Sequence, residues 1–183
     1  MINDQSLSQV VMIDMQEKLA DVMPKPEIKK IIHTSQVLIE ATQLLDIPLL
    51  HTEQYPKGLG PTIKNLQSLL HKKAIEKKVF SCVDEPQFKS ALVKTRSQIV
   101  LFGMETHICI LQTALALKAM GKEVFVVEDA TLSRSNLNHQ NAIARLRHES
   151  IVITNVESVI FEWLRIAEGD MFKAVSQLIK RLT

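Results

Sequence analysis

Ser97–Gly121 reads SQIVLFGMETHICILQTALALKAMG, and this stretch decides the fold. Ser97–Phe102 is a short apolar run of the kind that forms a strand buried on both faces. Gly103 stops it. After a polar turn, Ile108–Met120 repeats apolar residues at helical spacing, and Gly121 stands where a helix takes its left-handed C′ residue. A buried strand followed by a short turn and a helix is half of a βαβ unit.

The same alternation extends in both directions. Downstream, Lys122–Val127 reads as a strand ending at Glu128 and Asp129. A helix over Asn138–Arg147, a strand over Ser150–Thr154 and two C-terminal helices follow. Upstream, Val10–Ile13 is a β-rich run ending at Asp14. Pro26–Leu45 carries Ile28, Ile31, Leu38 and Ile39 on one helical face. Pro48–Thr52 is a second strand, and 53–61 (EQYPKGLGP) is a loop punctuated by Pro and Gly. Ile63–His71 reads as helical, Ala74–Phe80 as an edge or late-entering strand, and a short helix runs from Pro86 to about Thr95. Six strands alternating with helices predict a three-layer α/β/α sandwich around a six-stranded parallel sheet. At roughly 150 residues per domain, the 183 residues make one domain.

Composition excludes several functions. The chain has five glycines, and none are spaced as G-x-G-x-x-G or G-x-x-x-x-G-K-[ST]. Backbone cradles for nucleotide phosphates need such clusters, so no nucleotide cofactor is expected. Lys and Arg number 22 against 20 Asp and Glu, and aromatics are 4%. Neither a basic stripe nor a stacking platform for nucleic acid is present. The opening residues lack the charged and apolar regions of a signal peptide, and no apolar run reaches membrane-spanning length. Two cysteines make no disulfide scaffold. A cytoplasmic protein without nucleic-acid or membrane partners is expected.

In an open parallel sheet, ligands lie beyond the carboxyl ends of the strands. That rule selects Asp14, the 53–61 loop, Lys77–Ser81, the 103–109 turn and Asp129. Cys109 opens a helix, where the positive end of the macrodipole lowers a thiol pKa and free N–H groups await an oxyanion. The other reading is a small residue packing the helix start. Asp14 is either a functional carboxylate or a helix cap or ion pair. Lys77 and Lys78 sit in a lysine-rich run that suits a solvated face equally well. Cys82 reads as a packed bystander. The six histidines show no H-E-x-x-H spacing and read as structural or surface groups, so no metal is expected.

Four phrases then stand in register: VVMIDMQEKL (10–19), HTEQYPKGLGPT (51–62), EKKVFS (76–81) and the run from Gly103 to Ser135 ending in VVEDATLSRS. Together they resemble the isochorismatase-like cysteine hydrolases, and most of all the isochorismatase domain-containing subgroup, over about residues 8–160. The resemblance implies a strand order near 3-2-1-4-5-6 and a triad of Asp14, Lys77 and Cys109. Lys77 is chosen over Lys78 by the spacing K-x-x-F-S. The resemblance also implies a cis peptide at Met104–Glu105, with the Glu105 and Cys109 N–H groups forming an oxyanion hole. Gln54, Tyr55 and Phe80 are expected to contact the substrate, and Arg134 either pairs with Asp129 or lies on the surface. The metal-binding D-x-H…H pattern of the nicotinamidase branch is not reproduced by His51-Thr-Glu-Gln-Tyr-Pro. The implied function is hydrolysis of a small carbonyl substrate, most simply an amide, through a thioester, in a homo-oligomer. The alternative is a catalytically silent member that serves as a binding or assembly module.

Overall fold

The computed structural model describes residues 1–182. Six strands form one sheet: β1 (Ser8–Ile13), β2 (Leu49–Gln54), β3 (Ile75–Lys77), β4 (Gln98–Met104), β5 (Glu123–Leu132) and β6 (Val152–Thr154). They pair in the order β3-β2-β1-β4-β5-β6, all parallel. The connecting helices are α1 (Glu17–Asp21), α2 (Lys25–Leu44), α3 (Pro56–Leu59), α4 (Lys64–Gln67), α5 (Pro86–Ala91), α6 (Leu111–Ala119), α7 (Asn136–His148), α8 (Val156–Leu164) and α9 (Gly169–Ile179).

Because strand side chains alternate between faces, the sheet divides its apolar residues between two cores. Val10, Met12, Val100, Phe102, Phe125 and Val127 pack under α2, α8 and α9. Val11, Ile13, Ile99, Leu101, Val124 and Val126 pack under α5, α6 and α7. A parallel sheet covered on both faces explains why its central strands read as unbroken apolar runs.

Three elements depart from the sequence reading. Strand β4 does not stop at Gly103 but continues through it to Met104, with Gly103 at φ +121°. A Cβ built there would lie 2.1 Å from the Ile13 carbonyl oxygen, so only glycine lets β4 approach β1 this closely. Strand β5 runs ten residues to Leu132, three past Asp129, after an irregularity in register beyond Leu101. The helix expected over Ile63–His71 shrinks to α4, because Leu69 and Leu70 leave the helical path to pack against the α2 core. Pro56 starts the short helix α3 within the 53–61 loop. Among the described residues, no helix is long and apolar enough to cross a membrane.

Candidate active site

Strand β1 ends at Ile13, and the left-handed backbone of the next residue, Asp14 (φ 50°), turns the chain out of the sheet. The carboxylate is fully buried and both its oxygens are engaged. Thr52 Oγ1, near the end of β2, donates to Oδ1 at 2.7 Å. Lys77 Nζ, at the end of β3, donates to Oδ2 at 2.7 Å. The lysine is itself 2% exposed. Its ammonium also donates to Gln54 Oε1 at 2.8 Å, and lies 3.3 Å from the Val79 and Phe80 carbonyl oxygens. Lys78 is exposed, and its carbonyl accepts from Gln54 Nε2 at 3.0 Å. A buried ion pair is tolerated only when its remaining donors and acceptors are filled, and here they are.

Cys109 meets both members of this pair: its Sγ lies 3.6 Å from Lys77 Nζ, and its thiol hydrogen-bonds the Asp14 carboxylate. It sits in a five-residue widened turn, Thr106–Ile110, that leads into α6. The preceding Met104–Glu105 peptide is cis. Two side-chain contacts tie this turn to the chain beyond β5. Thr106 Oγ1 lies 2.9 Å from His139 Nδ1, and His107 Nδ1 lies 2.9 Å from Ser133 Oγ. Glu105 is buried, and its Oε2 accepts from the Arg134 N–H at 3.0 Å, with the Arg134 guanidinium 3.8 Å away.

Arg134 therefore turns to Glu105 and not to Asp129, and its side chain, more than half exposed, agrees with the alternative of a surface position. Because β5 extends three residues past Asp129, Arg134 is carried over the turn that follows β4. The Asp129 Oδ1 instead accepts from the Val156 N–H at 2.9 Å.

The electrostatics of the thiol also reverse the expectation from its position. Burial, and then the neighbouring Asp14 carboxylate, push the Cys109 thiol well above the ordinary range, and the Lys77 ammonium offsets only part of this. A macrodipole is worth about half a charge spread over a helix end, whereas Asp14 is a whole charge in a dry site. Burial works against the Lys77 ammonium too, yet the Asp14 carboxylate more than offsets it and holds the lysine above its usual value. The resting arrangement is thus an ion pair beside a neutral thiol. Cys82 is fully buried behind Thr52, with Sγ 4.0 Å from Thr52 Oγ1. Burial pushes its thiol up to about 11.

Beside Lys77 opens a cleft of about 580 Å³ whose walls include Tyr55, Pro56, Lys57, Lys78 and Val79. Tyr55, about half exposed, stands in its wall, whereas Phe80, also about half exposed, is not among the residues that line it. The Tyr55 ring lies over Gly58, where a Cβ would come within 2.5 Å of it. Gln54 faces inward, with its amide committed to Lys77 and to the Lys78 carbonyl.

Two residues of this network lie outside the sequence reading. Thr52 orients Asp14 but carries no signal of its own, being one polar residue in a strand. Gln16 is fully buried and clamps the loop: its Nε2 donates to the Gln54 and Gly60 carbonyls, and its Oε1 accepts from the Gln54 N–H. It belongs to the quoted phrase DMQEK, which was the only available hint. Among the described residues, no group of three or more His, Cys, Asp or Glu is placed to hold a metal ion.

Comparison with known proteins bears on this arrangement. Residues 8–158 match the family described as isochorismatase domain. Isochorismatase domain-containing protein 1 of Danio rerio is 40% identical over 172 residues, which are 91% of this chain and 59% of that protein. This chain therefore spans about three-fifths of the fish protein's length. Isochorismatase domain-containing protein 2 of Rattus norvegicus is 34% identical over 168 residues, 91% of this chain and 78% of the rat protein. A structure described as MAR1 ribonuclease from Caenorhabditis elegans superposes with a TM-score of 0.91 at 34% identity, covering 98% of this chain and 93% of that one.

Proposed function

The chain belongs to the isochorismatase family, a family of hydrolases, and on that premise we propose that it is a cysteine-dependent hydrolase of small carbonyl compounds, most simply amides. The observation that carries this reading is the Lys77 ammonium, 2.7 Å from the Asp14 carboxylate and 3.6 Å from the Cys109 sulfur. Asp14 takes the proton from the Cys109 thiol as sulfur attacks the carbonyl carbon. The C=O electron pair moves to oxygen, where the Glu105 and Cys109 N–H groups receive it. Asp14 returns the proton to the departing nitrogen as the C–N bond breaks, leaving a thioester. Water then attacks the thioester carbonyl and gives its proton to Asp14. The C–S bond then breaks, the acid leaves, and Asp14 passes its proton to the departing sulfur, so that Cys109 is a thiol and Asp14 a carboxylate again. Lys77 keeps its proton throughout and holds the carboxylate in place. Gln54 positions Lys77, while Tyr55 in the wall of the cleft and the exposed Phe80 nearby in the chain receive the substrate. The protein works as a cytoplasmic homo-oligomer in this reading, and exposed Phe161, Ile166 and Met171 on and between α8 and α9 offer an apolar face for assembly.

The test is a panel of aliphatic and aromatic carboxamides, read by product release and by intact-protein mass. The wild type is expected to accumulate an acyl adduct on Cys109. Cys109→Ala is expected to lose activity by about a thousandfold or more while its circular dichroism is unchanged. A Cys109→Ala protein of full activity would sink the proposal. Because the nematode relative is described as a ribonuclease, the panel includes RNA. Strand cleavage that depends on Cys109, without turnover of any carboxamide, would replace the amide by a phosphodiester.

A further inference from the structure

Strand β2 serves the triad with one face only. Leu50, Thr52 and Gln54 alternate toward Cys82, Asp14 and Lys77, so Leu49, His51 and Glu53 must face the α2 side. On that side lies a cavity of about 510 Å³, with Leu49, Leu69 and Leu70 among its apolar lining and Asp46, Lys72 and Arg96 among its charged lining. Strand β3 pairs only with Thr52–Gln54, so no strand covers the edge of β2 beside Leu49 and His51.

His51 is the unusual group here. It is only 4% exposed, and it lines both this cavity and an adjoining one of about 390 Å³. No hydrogen bond from the described residues engages its ring, and the ring nitrogens are not among the fully enclosed atoms, so they are open to the cavity and its solvent. A ligand that displaces that solvent can take the ring as its hydrogen-bond partner. The charges nearby favour an anion: Lys72 and Arg96 outnumber Asp46, and His71 stands beside them. In the adjoining space Lys73 stands against Glu76 and Glu53, so the positive excess belongs to the first cavity alone. Glu53 Oε1 is occupied by the Thr62 N–H and hydroxyl at 2.7 Å each.

We propose that this cavity is a second ligand site, back to back with the triad across β2, that binds a small organic carboxylate with an apolar body. The hydrocarbon rests on Leu49, Leu69 and Leu70. A carboxylate oxygen accepts from the His51 ring, and Lys72 and Arg96 balance the charge. The site does not use Cys109 and stands whether or not the amide reading holds.

The experiment follows the His51 imidazole resonance, assigned with His51→Gln, while the whole protein is titrated with benzoate and, separately, with neutral benzamide. Benzoate is expected to shift His51 saturably, in the wild type and equally in Cys109→Ala. Lys72→Glu, an exposed substitution that leaves the core alone, is expected to weaken benzoate about fivefold or more, the worth of one solvent-facing charge. Asp46→Asn, also exposed, is expected to tighten it. The proposal is overturned if benzoate leaves His51 unmoved, if benzamide binds as tightly as benzoate, or if Lys72→Glu and Asp46→Asn leave the affinity unchanged.

Discussion

At Cys109, burial and a neighbouring carboxylate act against a neighbouring ammonium, and the first two prevail. The thiolate is therefore disfavoured in the resting protein, and in the proposed mechanism it forms only as Asp14 takes the proton. This separates two quantities that usually move together. Asp14→Asn removes the negative charge and leaves Lys77 beside the sulfur, so the thiol pKa falls. In the proposed mechanism the same change removes the base, so turnover is expected to be lost. Ultraviolet thiolate absorbance, measured against pH in a Cys82→Ala background, checks the first part. A thiol pKa that rises or stays fixed in Asp14→Asn would refute this account. The sequence singles out Asp14 and Cys109 by their places at strand and helix ends, and motif spacing prefers Lys77 to Lys78. It does not carry the direction of the thiol shift, which depends on how dry the site is and on which charge lies nearest. Neither property follows from position along the chain.

At the scale of elements, the site rests on the close approach of β1 and β4. Gly103 lies against Ile13, the residue before Asp14, and a side chain there meets backbone that cannot rotate away. Gly103→Ala is expected to destabilise the fold by about 3 kcal/mol or more. Gly121→Ala provides the control: it shares a positive φ (79°) but meets nothing within 4 Å, so its cost is about 1 kcal/mol. Denaturant unfolding of the two variants checks the difference, and equal losses would contradict the steric argument. Gly103 is legible in the sequence as a break after an apolar run. That the strand continues through the break is not legible, because the reason lies on a neighbouring strand 90 residues away in sequence. The same holds for Arg134, whose partner changes once β5 runs past Asp129.

Across the whole molecule, the strand order reverses between β1 and β4, and Asp14 and the Cys109 turn meet at that reversal, where loops diverge and leave a crevice. Stability should reflect two imidazoles set into this frame. Burial holds His51 and His139 below their ordinary pKa, so each binds a proton less readily folded than unfolded. As pH falls through about 6.5, the unfolded chain takes up protons that the fold refuses, and stability drops. Burial raises Asp129, whose proton uptake favours the fold, but an effect starting near the carboxylate range lies at lower pH. The melting temperature is expected to fall between about pH 7 and pH 5, and less steeply in a His51→Gln, His139→Gln double variant. An unchanged slope in that variant would assign the acid sensitivity elsewhere. By itself the sequence determined the layered parallel sheet, because strand and helix periods are local and their alternation leaves few topologies, and it determined the family through four phrases in register. Only the tertiary structure decided that Thr52 and Gln16 brace the site, that Arg134 holds Glu105, and that the thiol rests neutral. Those outcomes depend on distances between strands, and hence on desolvation and Coulomb energy, which exist only once the chain has folded.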